Sequence, residues 1–263
     1  MSELSAASAT AIEVDGLSAS YHVRVGRTAG WWGLRGVLGG GGEGRREVPA
    51  LRDVTFDVPK GTVLGIIGRN GAGKSTLLRT LAGILAPSKG RVIVRGRISP
   101  LLSVGLGMQG DLTGRDNIRL GALAVGHSAG ELKQLEESIV DFAELGEYVN
   151  YPFKTYSAGM RSRLGFAVTA HLDPEILLID EALAGGDAKF KEKTAEKMFE
   201  LCGDGRTIAV VTHGLTLVRS IATTALWLHQ GQVVEYGDPD DVVNAYMRYC
   251  RIDSATIAEF DDE

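Results

Sequence analysis

Val63-Leu64-Gly65-Ile66-Ile67-Gly68-Arg69-Asn70-Gly71-Ala72-Gly73-Lys74-Ser75-Thr76 is the stretch that decides the fold. Its first five residues are almost wholly apolar, the pattern of a strand buried on both faces in a parallel sheet. Gly68 to Ser75 match G-x-x-x-x-G-K-S, and the run from Thr76 to Leu85 reads as a helix. The order strand, glycine loop, helix is what phosphate binding requires. The glycines let backbone N–H groups turn inward around an anion, and the helix N-terminus adds a partial positive charge. In such a loop Lys74 reaches the β- and γ-phosphates of a nucleoside triphosphate, and Ser75 places its hydroxyl on Mg²⁺. A glycine-rich turn with a surface lysine is the competing reading, and it leaves the flanking strand and helix unexplained.

Working outward, Ile176 to Ile179 (ILLI) and Thr207 to Val211 (TIAVV) have the same buried-strand character. The first runs into Asp180-Glu181, two carboxylates at the C-terminal tip, where α/β sheets bind ligands. Asp180 is expected to hold Mg²⁺ through water, and Glu181 to orient or deprotonate an attacking water. A solvated acidic pair at a strand end is common when it stands alone; here the phosphate loop lies upstream. Thr212-His213 follows the other strand. A histidine there can touch the γ-phosphate, although a lone histidine at a strand end is more often structural. Tyr21 ends the first strand, Ala11 to Tyr21, and can stack on adenine or serve as an ordinary core or surface aromatic.

The 263 residues are 44% apolar and 23% charged, with a formal charge of −5. That profile excludes global disorder, and the mild acidity argues against bulk nucleic-acid binding. No run approaches the ~18 apolar residues of a spanning helix. The beginning, MSELSAASAT, lacks the basic and apolar regions of a secretory signal. Cys202 and Cys250 stand far apart, so neither a disulfide framework nor a zinc site is expected, and a reducing cytosol fits. Val54 to Val58 alternates and is expected to pair with the first strand across an inserted loop, His22 to Pro49, of net charge +3. Residues from about 112 to 172 read as helical. Ser128 and Glu131 form a capping box there, with Leu132, Leu135, Ile139 and Phe142 along one face. Ala225 to Tyr236 reads as a hairpin turning at Gln230-Gly231. Asp238 caps a last helix with Pro239 at its first position. Residues 1–10 read as an N-terminal tail and 249–263 as an acidic, frayed one.

Tyr156-Ser157-Ala158-Gly159-Met160-Arg161, 19 residues before the Asp180 strand, resembles the signature of ATP-binding cassette (ABC) ATPases. With the phosphate loop, LLIDE, Gly186-Asp187 as the D-loop and His213 as the switch histidine, the resemblance covers 11–248. It implies an α/β fold, a P-loop NTPase with a mixed sheet core, an N-terminal antiparallel β subdomain and a helical signature subdomain. It implies ATP and Mg²⁺ as cofactors. Tyr21, Gly68, Arg69, Asn70, Gly71, Ala72, Gly73, Lys74, Ser75, Thr76 and Asp187 would lie about the nucleotide, with Lys74, Glu181 and His213 catalytic. It further implies a head-to-tail dimer: Ser157 caps a helix beginning at Gly159, and Ser157, Ala158 and Gly159 meet the ATP of the other subunit.

YSAGMRSRLGFAV, LTGRDNI, GRISPLL and ALWLHQGQVVEYGDPDDVV resemble ATPase subunits that export lipid-linked polysaccharides such as O-antigens, teichoic acids and galactan precursors. That resemblance implies a separate membrane permease and a cytoplasmic subunit held peripherally on the inner face of the membrane. It also implies no nucleic-acid partner. The usual glutamine after the GRISPLL strand is missing; Ser103 stands near its place and Gln109 comes late. In the inserted loop Trp31, Trp32 and Arg35 suit a membrane interface or permease groove, or a loop packed on its own domain. Arg35, Arg45 and Arg46 could contact a lipid-linked diphosphate. The chain stops soon after the last helix, which leads us to expect no added carbohydrate-binding domain. The rival readings are an importer or drug-efflux motor and an ABC ATPase outside transport. The sugar, the lipid carrier and the permease are not written in the sequence.

Overall fold

The computed structural model describes residues 10–25, 44–101, 108–172, 174–180 and 188–261. Val63–Ile67 (β3), Ile176–Asp180 (β6) and Thr207–Val211 (β7) are buried along their whole length. They are the middle of a six-stranded sheet. β7 and Thr224–His229 (β8) flank β3 in parallel, Leu64 standing opposite Ala209 and Thr224. Ile98–Leu101 (β5) pairs in parallel with β6. Gln232–Gly237 (β9) closes the other edge antiparallel to β8. The hairpin between β8 and β9 turns at Gln230 (φ 47) and Gly231 (φ 80), the left-handed pair of a tight turn that matches strand twist.

Thr10–Val25 (β1), Gly44–Pro59 (β2) and Lys89–Val94 (β4) make a second, antiparallel sheet with β1 in the middle. Ile12 faces Val58 on one side and Val94 on the other. The pairing across the insertion is therefore present, but it runs further than the alternation indicated. Val23 pairs with Arg46 and Val25 with Gly44, so 22–25 and 44–49 are strand and not part of an inserted loop. Val23 is 47% exposed and Val48 42%. His22, Val23 and Arg46 to Pro49 are all exposed here, so these residues carry no buried-face period to read. Residues 26–43, with Trp31, Trp32 and Arg35, lie outside the described residues.

The helix Lys74–Leu81 (α1) sits between the two sheets, with Leu77, Leu78 and Leu81 buried. Leu17, Val54 and Phe56 pack on it from one side, and Leu64, Ile66, Leu178 and Leu226 from the other. The opposite face of the large sheet is covered by Ala158–His171 (α4), Ala188–Gly203 (α5), Leu215–Ile221 (α6) and Pro239–Asp261 (α7). α7 begins as the sequence indicates, Asp238 Oδ1 accepting from the Asp240 N–H at 2.9 Å. The helix then continues through residues expected to be a frayed tail. No glycine or proline interrupts it after Pro239, and Tyr246 and Tyr249 pack against Trp227 at 5.6 and 5.3 Å between ring centroids.

Gly114–Val125 (α2), Ala129–Ala143 (α3) and α4 form a layer with its own core around Ile118, Ile139 and Leu164. The capping box of α3 is present at Ser128 and Glu131. A feature not anticipated from sequence is Glu136 on α3, only 5% exposed. It receives Arg115 Nη1 at 2.6 Å and Arg119 Nε at 2.6 Å from α2. Burial pushes its carboxyl up, but the hydrogen bonds from Arg119 and Arg115 outweigh this and hold it below the usual carboxylate range. Removing the carboxylate takes away an acceptor shared by Arg115 and Arg119, which keep Glu137 and Asp116 as partners, so Glu136→Ala is expected to lower unfolding free energy by about 1.5 kcal/mol. Because the folded value is depressed, this contribution is present at neutral pH. It is lost as pH falls below the ordinary carboxylate value and through the depressed one. Urea unfolding at neutral and acidic pH checks this: the gap between wild type and variant must shrink on acidification.

Candidate nucleotide-binding site

The turn from β3 into α1 brings backbone and side chain together because two glycines allow contacts no side chain would permit. Gly68 has φ 149, and a Cβ there would run into the Leu228 carbonyl oxygen. Gly73 has φ 106, and a Cβ would lie 2.7 Å from the Ala50 carbonyl oxygen. The small sheet is pinned to the loop at the same place. The Gly231 N–H donates to the Ala72 carbonyl at 2.9 Å, and the Arg52 N–H to the Gly231 carbonyl at 2.8 Å. Thus the β8–β9 turn, the edge of β2 and the glycine loop hold one another in position.

Lys74 is 7% exposed, and its Nζ donates to the carbonyls of Gly68 at 2.6 Å and Arg69 at 3.0 Å. Burial lowers its pKa, and the charge of Asp180 works in the opposite direction. Ser75 Oγ donates to Asp180 Oδ2 at 2.7 Å, across 105 residues of sequence. These two oxygens are the hard, oxygen-only donor pair that suits Mg²⁺, an ion that takes few protein ligands and completes its shell with water and phosphate. Among the described residues no group of three His, Cys, Asp or Glu side chains could hold a metal by itself.

A cleft of about 520 Å³ opens over the loop. Asn70, Gly71, Ala72, Gly73, Lys74, Ser75 and Thr76 line it, joined by Asp180 and His213 from the ends of β6 and β7. Ala50 and Val211 also line it; nothing in the local sequence marks Ala50, which arrives only because the small sheet docks there. Tyr21 is not part of the lining. Its hydroxyl lies 3.3 Å from Thr76 Oγ1, beside the start of α1. Glu181 and Asp187 lie outside the described residues, as does Ser103.

Ser157, Ala158 and Gly159 do not line the cleft. Ser157 Oγ accepts from the Met160 N–H at 3.2 Å, capping α4, which begins at Ala158, one residue earlier than expected. Ser157 and Ala158 are exposed at that helix end. Behind them Tyr156 is buried, and its hydroxyl donates to the Tyr148 carbonyl at 2.7 Å.

A family model described as ABC transporter matches residues 51–184, the span holding the glycine loop, the capped helix and the Asp180 strand. The chain belongs to the ABC transporter family. ABC transporter relatives at higher identity include the teichoic acids export ATP-binding protein TagH of Bacillus anthracis, 45% identical over 202 residues. These are 77% of this chain and 37% of that protein. The TagH protein of Listeria monocytogenes is 43% identical over 202 residues, 77% of this chain and 60% of that one. The O-antigen export system ATP-binding protein RfbB of Myxococcus xanthus is 42% identical over 213 residues, 81% and 49%. The matched part of the chain thus spans about two fifths to three fifths of these relatives. Among solved ABC structures, an ATP-binding subunit of an ABC transporter superposes with TM-score 0.71 at 25% identity, covering 89% of this chain and 92% of that one. The dimeric cassette MJ0796 bound to ADP and Pi superposes with TM-score 0.68 at 22% identity, over 87% and 98%, a likeness of fold. The α/β cassette with its antiparallel sheet and helical layer is the fold the sequence indicated.

Proposed function

We propose that this chain binds and hydrolyses ATP with Mg²⁺ as the motor subunit of an exporter of lipid-linked polysaccharide. It would work with a separate permease in the cytoplasmic membrane. The observation that carries the catalytic part is the convergence of Lys74, Ser75, Asp180 and His213 on one cleft above the glycine loop. Backbone N–H groups of the loop and the N-terminus of α1 would cradle the phosphates, and the Lys74 ammonium would neutralise the β- and γ-oxygens. Mg²⁺, held by Ser75 and through water by Asp180, would supply charge neutralisation on the same oxygens. Glu181 follows Asp180 directly, and we assign it the orientation and deprotonation of the attacking water. His213 is assigned to the γ-phosphate, Tyr21 to the adenine side and Asp187, in the D-loop, to the surroundings of the nucleotide.

Ser157 and Ala158 are exposed and Gly159 half-buried at the start of a helix, and all three are absent from the cleft, which supports their service to a second copy. Two copies then clamp two ATP molecules head to tail. The cargo is inferred from relatives named for teichoic acid and O-antigen export. Among the described residues no helix is long and apolar enough to cross a membrane, so the reading calls for a permease. Trp31, Trp32 and Arg35, with Arg45 and Arg46, are proposed to lie near the lipid headgroups and admit the diphosphate end of the cargo.

Inverted membrane vesicles containing this chain, a permease that co-purifies with it and labelled lipid-linked polysaccharide test the reading. ATP-dependent uptake is expected, and its absence with an active ATPase would overturn the cargo assignment. In the same vesicles, replacing Trp31 and Trp32 by serine is expected to reduce uptake several-fold while ATP hydrolysis without cargo is unchanged. Unaltered uptake would remove the loop from the transport path.

A further inference from the structure

The helical layer and the large sheet have separate cores, and Phe142, in the last turn of α3, packs against both. Its ring stacks with Phe166 of α4 at 5.8 Å between centroids and meets Phe190 of α5 edge-on at 5.9 Å. Lys193 of α5 reaches across to the same place. Its Nζ lies 4.7 Å from the centre of the Phe142 ring, and it donates to the Phe142 carbonyl at 3.1 Å and to Glu144 Oε1 at 2.8 Å.

Several effects favour this one ammonium. The Phe142 carbonyl is among the last four of α3, which have no partner within the helix. A cation at a helix C-terminus complements the partial negative charge there. The face of an aromatic ring attracts the same cation. Glu144, which ends α3, has φ 51, a left-handed conformation in which glycine is usual. The bond from Lys193 and its charge hold the Glu144 carboxyl below the usual carboxylate range, so the pair is ionised at neutral pH.

α4 carries the consequence. Met160 and Leu164, in its first half, belong to the core of the layer, whereas Phe166 and Ala170, in its second, belong to that of the sheet. Ser157 caps its start. Its 14 residues span about 21 Å, so a tilt of about 10° at the Phe142 end moves the Ser157 end by about 3.5 Å, more than the length of a hydrogen bond.

We propose that Lys193 is a positioning residue: by gripping the end of α3 it sets the angle of the helical layer on the sheet, and so places the Ser157 end of one copy over the nucleotide cleft of the other. This rests on the head-to-tail reading above. Lys193 is not part of the cleft lining, so it acts on the closure of two copies and not on the capture of nucleotide by one.

Two measurements separate these. Sedimentation of the Glu181→Gln chain with Mg²⁺ and increasing ATP gives the concentration for half-maximal dimer formation. A fluorescent ADP analogue gives capture by the single chain. Adding Lys193→Ala is expected to raise the first by roughly 10-fold, as loss of a charge-assisted contact across the junction requires, and to leave the second within about twofold. Lys193→Met keeps the stem without the charge and is expected to match alanine. Lys193→Arg keeps the charge, the donors and the ring contact, and is expected to return to within about threefold of the parent. A Lys193→Ala chain that dimerises like its parent overturns the proposal. So does an equal loss of ADP binding, which marks a general weakening of the fold, and so does arginine no better than methionine. A parent that binds ADP yet stays monomeric with ATP brings down the head-to-tail reading and this proposal together, whereas a dimerising parent indifferent to Lys193 brings down this one alone.

Discussion

Replacing Lys74 by alanine is expected to weaken ATP binding by roughly 100-fold, as loss of two charge-assisted contacts of about 1.5 kcal/mol each requires. The ammonium is buried and tethered to the Gly68 and Arg69 carbonyls, so it is already placed when a triphosphate arrives. On the proposed reading little reorganisation would be needed on binding, and the interaction would be strengthened by the site's partial withdrawal from water. Burial lowers the pKa of Lys74, while Asp180 supports the charged form. Equilibrium titration with a fluorescent ATP analogue measures the effect. Affinity within threefold of wild type would remove Lys74 from the phosphate site. The variant also loses the two loop contacts, so its thermal unfolding is compared with wild type to separate folding from binding.

Glu181→Gln is expected to retain ATP binding and to lower turnover by roughly 10²- to 10⁴-fold, the ordinary contribution of a general base. The substitution keeps the shape of the side chain and removes its ability to accept a proton. If ATP closes the dimer and hydrolysis reopens it, the variant must accumulate as a nucleotide-bound dimer. Sedimentation with ATP and Mg²⁺ should then show twice the mass of the chain. Turnover at the wild-type rate would move the base elsewhere. A monomer under those conditions would undo the head-to-tail assignment of Ser157.

Much of this site is legible because it is local. The strand VLGII, the loop and α1 are consecutive, so one short segment encodes burial, backbone freedom and helix N-terminus together. Ser157 as a cap and the box at Ser128 and Glu131 are legible for the same reason, a side chain bonding to backbone three residues away. Failures fall where local pattern ends. Val23 and Val48 on the β1–β2 ribbon stand exposed, and Tyr246 and Tyr249 of α7 are held by Trp227 in a distant strand.

The residues by themselves determined the chemistry: glycines that permit the turn, a lysine and serine at its end, and carboxylates at the tip of a buried strand. Tertiary structure alone decided that Ser75 and Asp180 meet at 2.7 Å, that Ala50 from the small sheet walls the cleft, and that Glu136 is clasped by two arginines. The reason is range. Backbone conformation and capping act over a few residues. Contacts between separate elements, from 17 to 105 residues apart here, exist only once burial of apolar faces has packed those elements together.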